Sequence, residues 1–138
     1  MKRFVLDPSV ALAWFLDDPV PAYATEVRRA LLDGARAAVP ALWHLEMANG
    51  FVVAERHRIL TTAEATRCLT YLEQLTAQIE THSDFVPARH ALNTARSFQL
   101  SAYDAVYLDT ARKEGIPIAT LDQAIRAAAA RAAVDIFR

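Results

Sequence analysis

Short apolar runs alternate with longer segments of helical spacing along almost all of the 138 residues, and this alternation constrains the fold more than any other feature. Arg3–Leu6 reads as a short buried strand, and residues 10–16 are apolar and helical. Ala22–Leu32 has apolar residues at Ala22, Val27, Ala30 and Leu31, which predicts a helix ending at Gly34. Residues 37–39 form a weak strand stopped by Pro40, and residues 42–58 predict a long helix. Thr61 or Thr62 opens another helix, extending to Leu75, and 78–80 is a short strand candidate. Residues 87–98 are helical, with Ala88, Ala91, Leu92 and Ala95 on one face. A helix over 101–113 stops at Gly115, followed by a strand at 116–119, an alanine-rich helix at 122–131 and a last strand at 134–137. Such an order predicts an α/β protein with a mostly parallel sheet and helices on both faces. No repeat, linker or composition shift divides the chain, so residues 1–138 read as one domain.

Composition narrows the setting. The chain is 54% hydrophobic with only three glycines and six prolines, as a packed globular protein requires. Cys68 is the single cysteine, so no internal disulfide and no zinc-finger spacing exist, which suits a reducing compartment. Met1-Lys2-Arg3 and Ala22-Tyr23-Ala24 faintly resemble a secretory leader, but Asp7-Pro8 breaks the apolar stretch. No apolar run approaches the ~18 residues a membrane helix needs. The chain is therefore read as cytoplasmic, with no membrane partner.

The net charge of −1 does not mark a nucleic-acid binder. Setting four carboxylates aside, however, turns the balance of 15 basic and 16 acidic residues positive. The basic residues are almost all arginine, which suits bidentate phosphate contacts. A compositional bias with the arginines on solvated helix faces is the preferred explanation.

Open parallel sheets bind ligands outside the carboxyl ends of their strands. Asp7 follows the first strand and Asp122 follows the 116–119 strand; Glu46 and Asp104 line or begin helices. Each has a structural alternative. Asp7 before Pro8 is an ordinary helix start. Ser101 and Asp104 stand at capping-box spacing, and Asp122 can cap the last helix. Glu46 lies past the first turn of its helix, where Leu42, Leu45, Glu46, Asn49 and Val53 share a face. A carboxylate in that stripe needs a partner, a proton or a metal, unless helix rotation leaves it at the rim. Four converging carboxylates tolerate one another when a divalent cation lies among them, and hard oxygen ligands select magnesium or manganese. Acidic metal clusters of this kind fit phosphodiester hydrolysis.

Other chemistries fare worse. There is no Gly-rich phosphate loop, no His-Glu-x-x-His and no nucleophile elbow. His44 and His57 read as helix-surface residues, Cys68 as a core thiol, Trp14 and Phe15 as core, and Asp109 with Lys113 as a surface pair.

Four segments also match one family. Phe4-Val5-Leu6-Asp7-Pro8-Ser9-Val10 resembles the opening of VapC-type PIN domains, with Pro8 where a small residue is commoner. Trp43-His44-Leu45-Glu46-Met47-Ala48-Asn49 is similar to the helix bearing the family's second acid. The stretch from Leu100 to Leu108, Ser-Ala-Tyr-Asp at its centre, closely resembles the third acidic motif. Ile118-Ala119-Thr120-Leu121-Asp122 resembles the Thr-x-Asp close of the site. The resemblance implies a three-layer α/β/α sandwich and Mg2+- or Mn2+-dependent cleavage of RNA. It implies Asp7, Glu46, Asp104 and Asp122 as catalytic metal ligands, Asp122 either directly or through water. Ser9, Asn49 and Thr120 would position ligands or substrate. It further implies a homodimer and a cognate antitoxin whose extended segment blocks the site. Arg96 and Arg112 are candidates for phosphate contact. Two rival readings are a housekeeping RNA-processing PIN nuclease and a non-catalytic PIN-fold binding protein; a third takes every acid as a cap or surface group.

Overall fold

A computed structural model describes residues 2–138. It contains β1 (Arg3–Leu6), α1 (Pro8–Leu16), α2 (Ala22–Leu32), β2 (Arg36–Pro40), α3 (Leu42–Arg56), α4 (Thr62–Gln74), β3 (Ile79–His82), α5 (Ala88–Phe98), α6 (Ala102–Glu114), β4 (Ile118–Ala119) and α7 (Gln123–Arg131). The strands form one sheet in the order β3-β2-β1-β4, every pair parallel.

Phe4, Val5 and Leu6 are fully buried, as are Ala37, Ala38 and Val39. Strands covered on both faces read as continuous apolar runs, and these do. The chain steps outward from β1 to β2 to β3, then crosses back over β1 to reach β4. Right-handed crossovers made in opposite directions lay their helices on opposite faces of the sheet. Accordingly α1 packs on α2 and α3, while α6 packs on α5 and α7. The reversal falls between β1 and β4, which is where such sheets open a crevice at their carboxyl ends. Gly50 on α3 matters here: a Cβ at that position would lie 2.5 Å from Leu12 Cδ2, so its absence lets α3 close on α1.

The opposite end of the sheet carries its own charge network. Arg3 and Arg36 are register partners, a like-charge pair that repels unless neutralised. Glu80 on β3 accepts from both, 3.2 Å from Arg3 Nε and 3.1 Å from Arg36 Nε, and Arg3 also reaches Glu114. The two arginines hold Glu80 below the ordinary carboxylate range.

Several expectations need correction. Residues 134–137 do not make a strand; Ile136 forms a single parallel bridge to Ile118. Thr120 turns away toward the crevice after only two strand residues, and Ala133 takes a positive φ of 58°, so no ladder extends there. On α3 the buried face is Trp43, Met47, Phe51 and Ala54, whereas Leu45, Asn49 and Val53 are exposed. Trp43, Met47 and Phe51 fill the core, and Glu46 sits half-buried at its rim. On α5 the buried residues are Ala91 and Thr94, with Ala88 and Leu92 exposed. Asp109 does not pair with Lys113. It faces α5, accepting from Thr94 Oγ1 (3.2 Å) and lying 3.1 Å from His90 Nε2, while Lys113 pairs with Asp84 at 2.7 Å. Cys68 is only half-buried against the core.

Candidate active site

Asp7 leaves β1 at its carboxyl end and caps α1, with Pro8 in the first turn. The capping reading and the site reading therefore describe the same side chain. Asp7 is buried, and one oxygen receives all its protein contacts. Oδ2 accepts from Ser9 N (3.2 Å), Ser9 Oγ (2.5 Å) and Thr120 Oγ1 (3.0 Å). Among the described residues nothing donates to Oδ1. Burial pushes the Asp7 carboxyl up to about 6, against the pull of those hydrogen bonds and with a further push from Asp104.

Ser9 and Thr120 continue the network. Ser9 Oγ accepts from Leu121 N, and Thr120 Oγ1 accepts from Asp122 N, each at 3.0 Å. Asp122 in turn caps α7, its Oδ1 accepting from Ile125 N at 2.9 Å. The turn after β4 is thus held onto the turn after β1 by side chains.

Asp104 stands in the first turn of α6. Ser101 Oγ accepts from Asp104 N at 3.0 Å, but the reciprocal half of a capping box is absent, so the carboxylate is not spent on the cap. Desolvation raises its pKa first, and Asp122 raises it further. Glu46 is raised by desolvation and by Asp104, partly offset by a 2.6 Å hydrogen bond from the Tyr107 hydroxyl. Tyr107 is fully buried, and its phenol is held far above its ordinary value by burial and then by Glu46.

Asp104 is the electrostatic hub: it acts on Asp7 and Glu46 and feels Asp122. Among the described residues no ion pair involves any of the four acids. Three of them, Asp7, Asp104 and Asp122, also lie at helix N-termini, whose dipoles favour negative charge. An all-oxygen set of repelling carboxylates without a basic partner has the chemistry of a hard divalent-cation site. Among the described residues, no three of the His, Cys, Asp and Glu side chains are gathered closely enough to hold an ion as they stand. The acids are related through Asp104 without being gathered together, and a cation there would have to draw them in or reach some through water.

Asn49 is exposed one turn beyond Glu46 and borders a hollow of about 360 Å³ with Pro8, Leu12, Leu45, Glu46 and Gly50. Roomier hollows of 560 and 860 Å³ elsewhere are lined by none of the four acids. Arg112 stacks over Phe98 and lies 3.6 Å from Asp109, and Arg96 is exposed on α5. Sequence reasoning assigned no role to two further residues. Tyr107 lies three residues after Asp104, one helical turn on, where a tyrosine between buried alanine and leucine positions needs a partner for its hydroxyl. Arg126, four residues after Asp122, donates from Nε to the Thr120 carbonyl at 2.8 Å and stacks over Tyr23.

A family model described as PIN domain matches residues 4–131. The crystal structure of PAE2754 from Pyrobaculum aerophilum is similar in fold, with a TM-score of 0.70 at 20% identity, over 92% of this chain and 79% of that one. No curated protein matches the sequence.

Proposed function

Because this chain belongs to the PIN-domain family, a family of nucleases, we propose that it is a divalent-metal-dependent endoribonuclease and the toxin of a toxin–antitoxin pair. The observation that carries the nuclease reading is the set of mutually repelling acids around Asp104 near the β1–β4 crevice. Asp7, Glu46 and Asp104 are all destabilised as anions, and among the described residues no basic side chain pairs with them. A reader of surfaces or a scaffold protein has no need for such an arrangement, which costs stability.

Asp7, Glu46 and Asp104 would hold Mg2+ or Mn2+, with Asp122 completing the set directly or by orienting water. Such an ion lowers the pKa of water and stabilises charge on a displaced phosphate oxygen. Ser9 and Thr120 keep Asp7 Oδ2 bonded into the protein, which leaves Oδ1 for the ligand. Asn49 is available to substrate from the rim. The shallow setting suits a polymer laid across the crevice better than a small molecule enclosed in a pocket.

The toxin role, the homodimer and the antitoxin partner rest on the motif resemblance, and the cytoplasmic setting rests on the single cysteine and the broken leader-like segment. No helix among the described residues is long and apolar enough to cross a membrane.

The test is RNA cleavage by the purified protein with Mg2+ or Mn2+ and then with EDTA, beside calorimetric titration with Mn2+. Metal-dependent cleavage supports the nuclease. A folded protein that binds no Mn2+ and cuts no RNA in a broad panel overturns it. Growth arrest on expression, relieved by a small protein encoded beside the gene, separates a toxin from a housekeeping nuclease.

A further inference from the structure

We propose that Tyr107 is a positioning residue that acts through Glu46, its hydroxyl fixing one carboxylate oxygen so that the other faces the crevice. The inference rests on the nuclease reading above and assigns a role within that same site.

Glu46 needs such a restraint more than its fellow acids. Asp7 and Asp122 are short side chains at helix caps, each anchored by backbone donors. Asp104 is likewise short and sits within a first turn. Glu46 is longer, lies mid-helix at the rim of the core, and receives no backbone donor. Its one protein partner among the described residues is the Tyr107 hydroxyl, 2.6 Å from Oε1.

The donor is as rigid as a side chain can be. Tyr107 has no exposed surface, and its helix is pinned by Ala105, Leu108 and Ala111, all buried. The bond joins α6 to α3 across 61 residues of sequence. A tyrosine hydroxyl in such a position needs an acceptor, but a backbone carbonyl would satisfy it. Here it is aimed at an acid of the set. The result repeats the pattern at Asp7: one oxygen is bonded into the protein and the other is left open. Outer partners of this kind orient the ligands of metal sites and change affinity when removed.

Tyr107→Phe keeps the ring and removes only the hydroxyl. The variant should melt cooperatively, bind Mn2+ about 10-fold more weakly by calorimetry, and lose kcat on RNA with KM little changed. In a Glu46→Ala background the same substitution should add no further loss, because a residue acting through Glu46 has nothing left to position. Wild-type Mn2+ affinity and kcat in Tyr107→Phe would overturn the inference, as would an equal loss in the Glu46→Ala background or a variant that cannot fold, since both mark a packing role. A wild type that itself binds no Mn2+ overturns the nuclease reading and this inference together, whereas a binding wild type with an unaffected variant overturns this inference alone.

Discussion

Thr120 Oγ1 donates to Asp7 Oδ2 across 3.0 Å, so the carboxyl ends of β4 and β1 are joined by side chains beyond the last rung of their ladder. The same oxygen accepts from Asp122 N, and Thr120 is fully buried. Thr120→Val keeps the shape and removes both bonds. It should lower stability by about 1–3 kcal/mol, the cost of leaving a buried donor unpaired. Thr120→Ser should recover most of it. Chemical unfolding of the two variants checks this, and a valine variant as stable as the wild type would dissolve the clamp.

Asp104→Asn separates function from stability. The carboxylate is disfavoured by burial and by Asp122, so its removal should not lower the melting temperature. Metal-dependent RNA cleavage should fall by roughly 100-fold or more, the scale of losing a key electrostatic group from a site. Cleavage at the wild-type rate would remove Asp104 from the machinery.

The acids also dictate a pH profile. Asp7 titrates near 6 in the folded chain, above the ordinary carboxylate value of 3.8. The folded state then holds the proton more tightly than the unfolded state. Stability is greatest below about pH 4 as far as this group is concerned, and declines as pH rises through 6. The full cost at pH 7 is about 3 kcal/mol. Glu46 and Asp104 shift in the same direction. In chelator, the melting temperature of Asp7→Asn relative to wild type should therefore rise between pH 4 and pH 7, because the substitution removes the group whose ionisation costs stability. Mn2+ should raise the melting temperature more at pH 7.5 than at pH 5. A difference between variant and wild type that does not change with pH would contradict the burial of an ionised Asp7.

Glu80→Gln probes the far end of the sheet. It leaves Arg3 and Arg36 facing each other across the β1–β2 pair without a shared counter-ion. Stability should drop by about 1 kcal/mol, more at low salt, with RNA cleavage unchanged. A loss of cleavage at constant stability would mean that the two ends of the sheet are coupled.

Much of this architecture could be read from local signals. Thr61 and Glu64 form a reciprocal capping box at the predicted start of α4, and Gly115 closes α6 in the left-handed conformation that glycine favours. The positions of Asp7 and Asp122 after β1 and β4 are legible because strand ends and helix caps are local features. What was not visible depended on partners distant in sequence. Two apolar stripes overlap on α3, and only packing decides that Trp43, Met47, Phe51 and Ala54 go inward and Leu45 and Val53 do not. Asp109 looked like half of an i, i+4 pair until α5 supplied Thr94 and His90. The 134–137 segment has strand composition but meets a neighbour with two strand residues, which leaves room for one bridge. Tyr107 gave no sign of its role because Glu46 lies 61 residues away.

The crossover from β3 back over β1 sets the order in which the site comes into being during synthesis. A chain emerging from the ribosome presents Asp7 and Glu46 early, just after β1 and on α3. Asp104 follows only after the sheet has gained its third strand, and Thr120 and Asp122 later still. Until β4 inserts beside β1, Asp7 lacks the threonine that bonds it and the crevice has one wall. The last acid and the threonine that fixes the first therefore reach the crevice only when the final parallel pair closes.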